Sequence, residues 1–425
     1  MKKITTGIAA IAMLAQIAIF PASAFASTTT LQITGNGADS QNTTQVSNTT
    51  NTVVSQTNSA DISNTVNASS STGSNSANKN TGGDVKIDTG SSQTLVSVEN
   101  TANSNAASVT NCNCAADATV VVSGNGADSK NNAKLELENK TQVAQSNSGD
   151  ITNKVKADST TGDNKADKNT GGSVSISTGD ALTHVDMTTH ANSNAAQLGS
   201  GNGNGGSEVS LLVAGNGADS KNSVWLALDK TAVLQQYNSS SVNNSVDASS
   251  STGENKADKN TGGSTSIDTG SAFSGVLVDN AANFNWANID CDCLTNVAAK
   301  VANNGTDTKN TISADLTDAQ NIFQDNSCGN DLWSFGWDGW GKKCGVNSHV
   351  NADSATGVNS LADNTGNPGM DPEVMTGDSE TAIAVTNTGN SNVYGEPMTM
   401  PTGGSNVNVN VSFNLSALLG ALGIH

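Results

Sequence analysis

Apolar and polar residues alternate along this chain in short bursts. Lys134-Leu135-Glu136-Leu137-Glu138 is one; Val85-Lys86-Ile87 and Val174-Ser175-Ile176 are others. A period of two marks a β-strand with one buried face. The bursts are spaced about ten to fifteen residues apart and separated by Gly, Asn, Asp and Ser, the residues of turns. Near the C-terminus Val407, Val409, Val411, Phe413 and Leu415 alternate with Asn and Ser, which predicts one more strand. Leu415, Leu418, Leu419 and Leu422 follow at helical spacing and predict a short helix.

The bursts belong to a repeat. The run Gly35-Asn36-Gly37-Ala38-Asp39-Ser40 returns at Gly124 and at Gly215, and a degenerate copy, Asn304-Gly305-Thr306-Asp307, sits where a fourth is due. A second marker, Asn80-Thr81-Gly82-Gly83, recurs from Asn169 and Asn260 and is reduced to Asn364-Thr365-Gly366. A third, Ile87-Asp88-Thr89-Gly90, recurs from Ile176, Ile267 and Val374. Three markers in fixed order define tandem modules. They divide the chain into 27–123, 124–214, 215–302 and a degenerate fourth module, 303–395. Residues 396–425 follow as a C-terminal cap or docking tail.

Residues 1–26 have the layout of a secretory signal peptide. Lys2 and Lys3 precede a mostly apolar run from Ile8 to Phe20, and Ala22-Ser23-Ala24 or Ala24-Phe25-Ala26 supplies the small-residue cleavage site. The run is short for a spanning helix, and no later stretch is apolar enough to cross a bilayer. The expected location is secreted or at the cell surface of a bacterium, outside the cytoplasm.

Two architectures suit such modules: a string of immunoglobulin-like sandwiches, or a β-solenoid in which each module contributes several coils. The second module, from Gly124 to Ala214, has no Phe, Trp or Tyr. A sandwich core needs large side chains from both sheets, whereas a narrow solenoid can be filled by Val, Ile, Leu, Ala and Thr. The chain also lacks proline between Pro21 and Pro368, which suits an unbroken backbone ladder. The expected fold is all-β: an elongated β-solenoid or β-helix of about four tandem modules, closed by a C-terminal capping strand and short helix. Stacked Asn and Thr would form hydrogen-bonded ladders between coils. With coils of roughly twenty residues, the rod would be on the order of 80–90 Å long.

The pattern Thr-Gly-x-Asn-x-Ala-x-x-Asn-Thr-Gly-Gly occurs at Thr72 to Gly83, Thr161 to Gly172 and Thr252 to Gly263. It resembles Asn/Thr/Gly-rich repeats of bacterial surface proteins, including β-solenoid adhesins. The Gln, Asn, Gly and Ala spacing is also similar to curlin repeats of extracellular fibres, whose repeats are much shorter and more regular. The resemblance implies a surface or adhesive role and carries no catalytic residue.

Composition narrows the partners. The formal charge is -19, and every one of the 19 basic residues is lysine. An acidic chain without arginine forks is unsuited to nucleic acid. It is also repelled by anionic membranes, while its charge favours solubility outside the cell.

Six cysteines suit an oxidising compartment. Cys328 and Cys344 bracket an insertion that the other modules lack, and a disulfide between them would contribute about 3 kcal/mol by loop entropy. Inside it lie Trp333, Phe335, Trp337 and Trp340, the candidate ligand-binding residues on an aromatic-poor scaffold. Trp faces stack on sugar rings and anchor protein contacts; the alternative is a small core that folds back on the solenoid. Cys112-Asn113-Cys114 and Cys291-Asp292-Cys293 stand near module junctions. A disulfide within each pair is expected, because two intervening modules would keep the pairs too far apart to share a metal. Asp39, Asp128 and Asp219 have a partial likeness to calcium turns of extracellular β-rolls, so calcium is the one cofactor considered; a turn with an Asx-type bond is the alternative. His184, His190, His349 and His425 are scattered, and the Asp residues recur with the module, so no catalytic constellation is expected.

The expectation is a non-catalytic structural or adhesive protein, with cell-surface glycans or proteins as partners. The first alternative is a self-associating subunit of a fibre or surface layer. The second is a calcium- or carbohydrate-binding module.

Overall fold

The computed structural model describes residues 15–20, 29–109, 117–199, 208–290, 296–326, 345–366, 369 and 371–395. Among them the regular structure is entirely strand, and the named strands pair in parallel. The strand Gln41–Gly73 lies beside Lys130–Gly162, which lies beside Lys221–Gly253. Paired residues are 89 and 91 positions apart, the length of one module. The fold is the expected solenoid, but its coil is larger: each module closes one coil, where several coils of roughly twenty residues were expected. The four modules are therefore four stacked rungs about 4.8 Å apart.

The second rung shows the path. Ala118–Ser123 leads into the Gly-Asn-Gly-Ala-Asp turn, and the chain then runs through the long strand Lys130–Gly162. A small end structure follows, Lys165–Asp167 and Val174–Thr178. The chain returns along Ala181–Leu198 and reaches Glu208–Ala214, the first strand of the third rung. The return strand faces the later half of the long strand: Gln145 Nε2 donates to Ala195 O at 3.0 Å, and Thr161 Oγ1 to Gly179 O at 2.8 Å. Val120 and Val122 face Leu135 and Leu137 near its start. Each rung is thus a flattened loop of two facing layers. The long strand has 33 residues, a contour of about 110 Å at about 3.3 Å per residue. The first and last rungs are only about 14 Å apart at that strand spacing. The elongation runs along the strands, across the stack, so the expected length of 80–90 Å along the coil axis is corrected as well.

Inward positions are not uniformly apolar. Five separate apolar clusters lie along the slab, one holding Val120, Leu135, Leu211 and Leu226, another Val155, Val185, Met187 and Val278. Between them the inward side chains are amides and hydroxyls. Six files of asparagine run through all four rungs, for example Asn105, Asn194, Asn285 and Asn392, each Nδ2 donating to the Oδ1 of the rung above at 2.9–3.0 Å. The others start at Asn36, Asn42, Asn75, Asn80 and Asn103. Gln324, Gln236, Gln145 and Gln56 form a file of opposite sense. These are the asparagine ladders expected between coils. A stacked amide gives and accepts within its own file, so its burial leaves few groups unpaired.

In the fourth rung the register offset steps from 88 to 104 across residues 327–344, which lie outside the described residues. The expected capping strand and helix fall in 396–425, outside the described residues. The expected leader contributes one described strand, Ala15–Phe20, which pairs with Ser104–Val109 beneath the first rung.

Candidate functional site

A coil of one module has a direct chemical consequence: residues that recur with the module are stacked, not scattered. Asp39, Asp128 and Asp219, the calcium candidates, come together in one exposed file with Asp307. All four have left-handed backbones, φ 57° to 61°. Each of the lower three donates its backbone N–H to the carbonyl of the residue before the next Asp, at 2.9 Å. Asp tolerates this conformation better than most residues. Among the described residues, no group of three or more His, Cys, Asp or Glu side chains is placed to hold a metal ion.

Two residues along, Lys130, Lys221 and Lys309 form a second exposed file, with Gln41 in the first rung. None of the three lysines forms an ion pair among the described residues. Unlike them, Lys134 pairs with Glu136 at 2.7 Å and Lys256 with Asp258 at 2.8 Å. The lysine file lines an open groove of about 410 Å³ with Asn42, Asn131, Asn222 and neighbouring polar residues. Like charges about 4.8 Å apart on adjacent strands repel one another. An anionic polymer with comparable spacing would relieve that repulsion. Sequence inspection missed this file because it assigned equivalent residues to separate coils. The signal that could have found it was the Lys-Asn pair that follows Asp128-Ser129, Asp219-Ser220 and Asp307-Thr308.

One titrating group is set apart by burial. Asp186 is half-buried on the return strand. Burial pushes its carboxyl up; His184 opposes this, and Asp279 and Glu99 reinforce it. A raised acid binds its proton more tightly in the folded state. It therefore lowers stability above its unfolded pKa, increasingly until the folded pKa is passed, and has no effect well below both. Asp186→Asn should melt at a higher temperature than the parent at pH 7, and the gap should close by about pH 3. A gap of the same size at both pH values would show that charge burial is not the cause.

The remaining candidates, Trp333, Phe335, Trp337, Trp340, Cys328, Cys344, Cys112, Cys114, Cys291 and Cys293, lie outside the described residues. The strand ends that precede the two Cys-x-Cys pairs do bear on them. Val109 and Ile289 both pair with Leu198, so they stand two rungs apart, about 10 Å. The long rod on which the sequence argument rested does not lie between these strand ends; the cysteines themselves are outside the described residues. Among the described residues, no helix is long and apolar enough to cross a membrane. No protein-family model, curated protein or solved structure matches this chain.

Proposed function

We propose that this chain is an exported, non-catalytic structural or adhesive protein of a bacterial surface, and that its partners are repetitive polymers, foremost acidic glycans. One observation carries the reading: the fold presents exposed side chains as files at a fixed spacing. Lys130, Lys221 and Lys309 repeat one cation at three successive levels of an open groove. A small substrate calls for a concave site with convergent groups; a polymer with repeating charges calls for a repeating surface. The net charge of -19 opposes binding of polyanions over most of the molecule, so such contact calls for a local array of cations such as the lysine groove. The secretory layout of residues 1–26 and the six cysteines support a location outside the cytoplasm.

The test is binding of the chain to an immobilised carboxylated or sulfated polysaccharide. Replacing Lys130, Lys221 and Lys309 together by Gln should weaken binding about tenfold, the effect of about 1.4 kcal/mol spread over three exposed contacts. The weakening should shrink as salt is raised. Equal binding by parent and triple variant would remove the groove from the reading. Trp337→Ala combined with Trp340→Ala tests the Cys-bracketed loop in the same assay.

A further inference from the structure

The two ends of the stack are complementary, and we infer that copies of this chain add head to tail, the fourth rung of one seating on the first rung of the next. The inference rests on the structural reading above and adds the partner, a second copy of the same chain.

Hydrogen bonding supplies the first argument. Each asparagine file has a sense, with Nδ2 of a lower rung donating to Oδ1 of the rung above. At the top the last donor is left over, and at the bottom the first acceptor. Both ends are visible as unpaired buried atoms: Asn359 Nδ2 on the fourth rung donates to no partner, and Asn103 Oδ1 on the first accepts from none. Asn359 ends the file that begins at Asn75, and Asn103 begins the file that ends at Asn390. One copy placed above another lets Asn359 donate to Asn75, and Asn390 to Asn103, of the added copy. The same translation continues the parallel backbone ladder.

Charge and packing supply the second. Following the register, Asp363 of the lower copy comes opposite Lys79 of the upper one, and Glu373 opposite Lys86. Asp315, Asp318 and Asp325 face Ser47, Thr50 and Thr57. Asp307 meets Asp39, as like residues already meet throughout that file. Of the apolar groups exposed on the fourth rung, Val301 falls on Ile33, Val374 on Ile87, Ile383 on Val96 and Val385 on Val98, whereas Leu316, Phe323 and Met375 fall on Asn48, Ser55 and Asp88.

Glycine supplies the third. In the inner rungs a Cβ at Gly126 would come within 2.3 Å of Ala38 N, and one at Gly179 within 2.5 Å of Ser91 N. Their first-rung equivalents, Gly37 and Gly90, have nothing within 4 Å and no left-handed φ. A solitary molecule has no steric need for glycine at either place; a stacked one has the same need as at Gly126 and Gly179.

Such a contact is heterologous and does not close on itself, so it builds a filament. Each copy would add four rungs, about 19 Å. In the unprocessed chain Ala15–Phe20 occupies Ser104–Val109 on the first-rung edge, so removal of residues 1–26 would free that edge for the next copy.

The full chain, expressed for export with its own N-terminus, tests this by sedimentation velocity and negative-stain microscopy. Mass spectrometry reads whether the leader was removed, and circular dichroism confirms β-structure in every variant. Processed protein should form unbranched filaments with a subunit rise near that estimate. Gly37→Ala with Gly90→Ala should leave the melting temperature of the monomer unchanged and raise the concentration needed for assembly at least tenfold. Lys79→Glu with Lys86→Glu should do the same, and adding Asp363→Lys with Glu373→Lys should restore assembly. Processed, folded protein that stays monomeric at every concentration overturns the inference, and leaves the surface reading to its own binding assay. Filaments indifferent to both sets of substitutions overturn the proposed interface.

Discussion

Gly217→Ala is expected to destabilise the folded chain by about 4 kcal/mol or more, a size reserved for changes that force the backbone apart. Gly37→Ala, the same position of the same turn on the first rung, is expected to stay within about 0.5 kcal/mol of the parent monomer or to stabilise it slightly. The local sequences are Gly-Asn-Gly-Ala-Asp-Ser in both cases. What differs is the neighbour. A Cβ on Gly217 would sit 2.4 Å from Ala127 N and 2.6 Å from Gly126 C, both backbone atoms held by the stacked turn below. Gly37 has no rung beneath it and nothing within 4 Å. A third position sets the upper end of the scale. Gly162 has φ 119°, and its Cβ would lie 1.9 Å from Gly253 O, so strain and collision coincide there. Urea unfolding of dilute, unassembled protein provides the comparison. Similar losses at Gly37 and Gly217 would mean that glycine serves the turn itself and not the stack.

The same geometry explains which parts of the fold were legible beforehand. The module length could be read from Gly35, Gly124 and Gly215, and the absence of large aromatics from the second module pointed correctly to a solenoid. The coil length could not be read, because polar residues inside a strand look like turns. Asn58-Ser59-Ala60-Asp61 resembles a chain reversal, yet it lies in the middle of Gln41–Gly73. Asn58 points inward and donates to Asn105 Oδ1 at 2.9 Å. A rule that places polar residues outside or in turns divides this strand into several pieces. In a core where amides pair with amides from rung to rung, the rule has no force. The 33-residue strand appears only once partners 89 and 91 residues away are known.

The candidate sites followed from that one misreading. With small coils, Asp39, Asp128 and Asp219 were distant turns and their recurrence argued for scaffold. With one coil per module they are vertical neighbours, and so are Lys130, Lys221 and Lys309. Recurrence in this fold builds one-dimensional arrays, and an array is invisible to a search for a unique cluster. The insertion was legible in both respects that sequence can supply. The distance from the first marker to the Thr-Gly of the second pattern is 38 residues from Gly35 to Gly73 and 54 from Asn303 to Gly357, a difference of 16 that matches the register step from 88 to 104.

Asn194→Ala should lower stability by about 3 kcal/mol, several times the effect of Asn243→Ala on the same slab. Asn194 is fully buried at the crossing of two networks. Its Nδ2 donates to Tyr237 O, Asn238 Oδ1 and Asn285 Oδ1 at 2.9–3.0 Å. Its Oδ1 accepts from Asn105 at 3.0 Å and from Asn147 at 2.8 Å. Several of these partners keep a second bond, as Asn238 Oδ1 does from Asn147, which holds the loss below the sum of five. Asn243 is exposed at the side chain and, among the described residues, donates only to Ser241, two residues away, so water can replace its partner. Asn194→Asp separates amide pairing from packing, since it keeps the shape. It loses every donor, and a carboxylate would face three acceptors. Burial and those acceptors should raise its folded pKa above the ordinary value of about 3.9. The variant should therefore be weakest near neutrality and recover as the pH falls toward that unfolded value, whereas Asn194→Ala should show no such recovery relative to the parent. The readouts are denaturant midpoints for the three variants at pH 7 and pH 4. A cost at Asn194 no larger than at Asn243 would mean that the apolar clusters alone hold the rungs together. An Asp variant that tracks the Ala variant at both pH values would mean that water reaches the file.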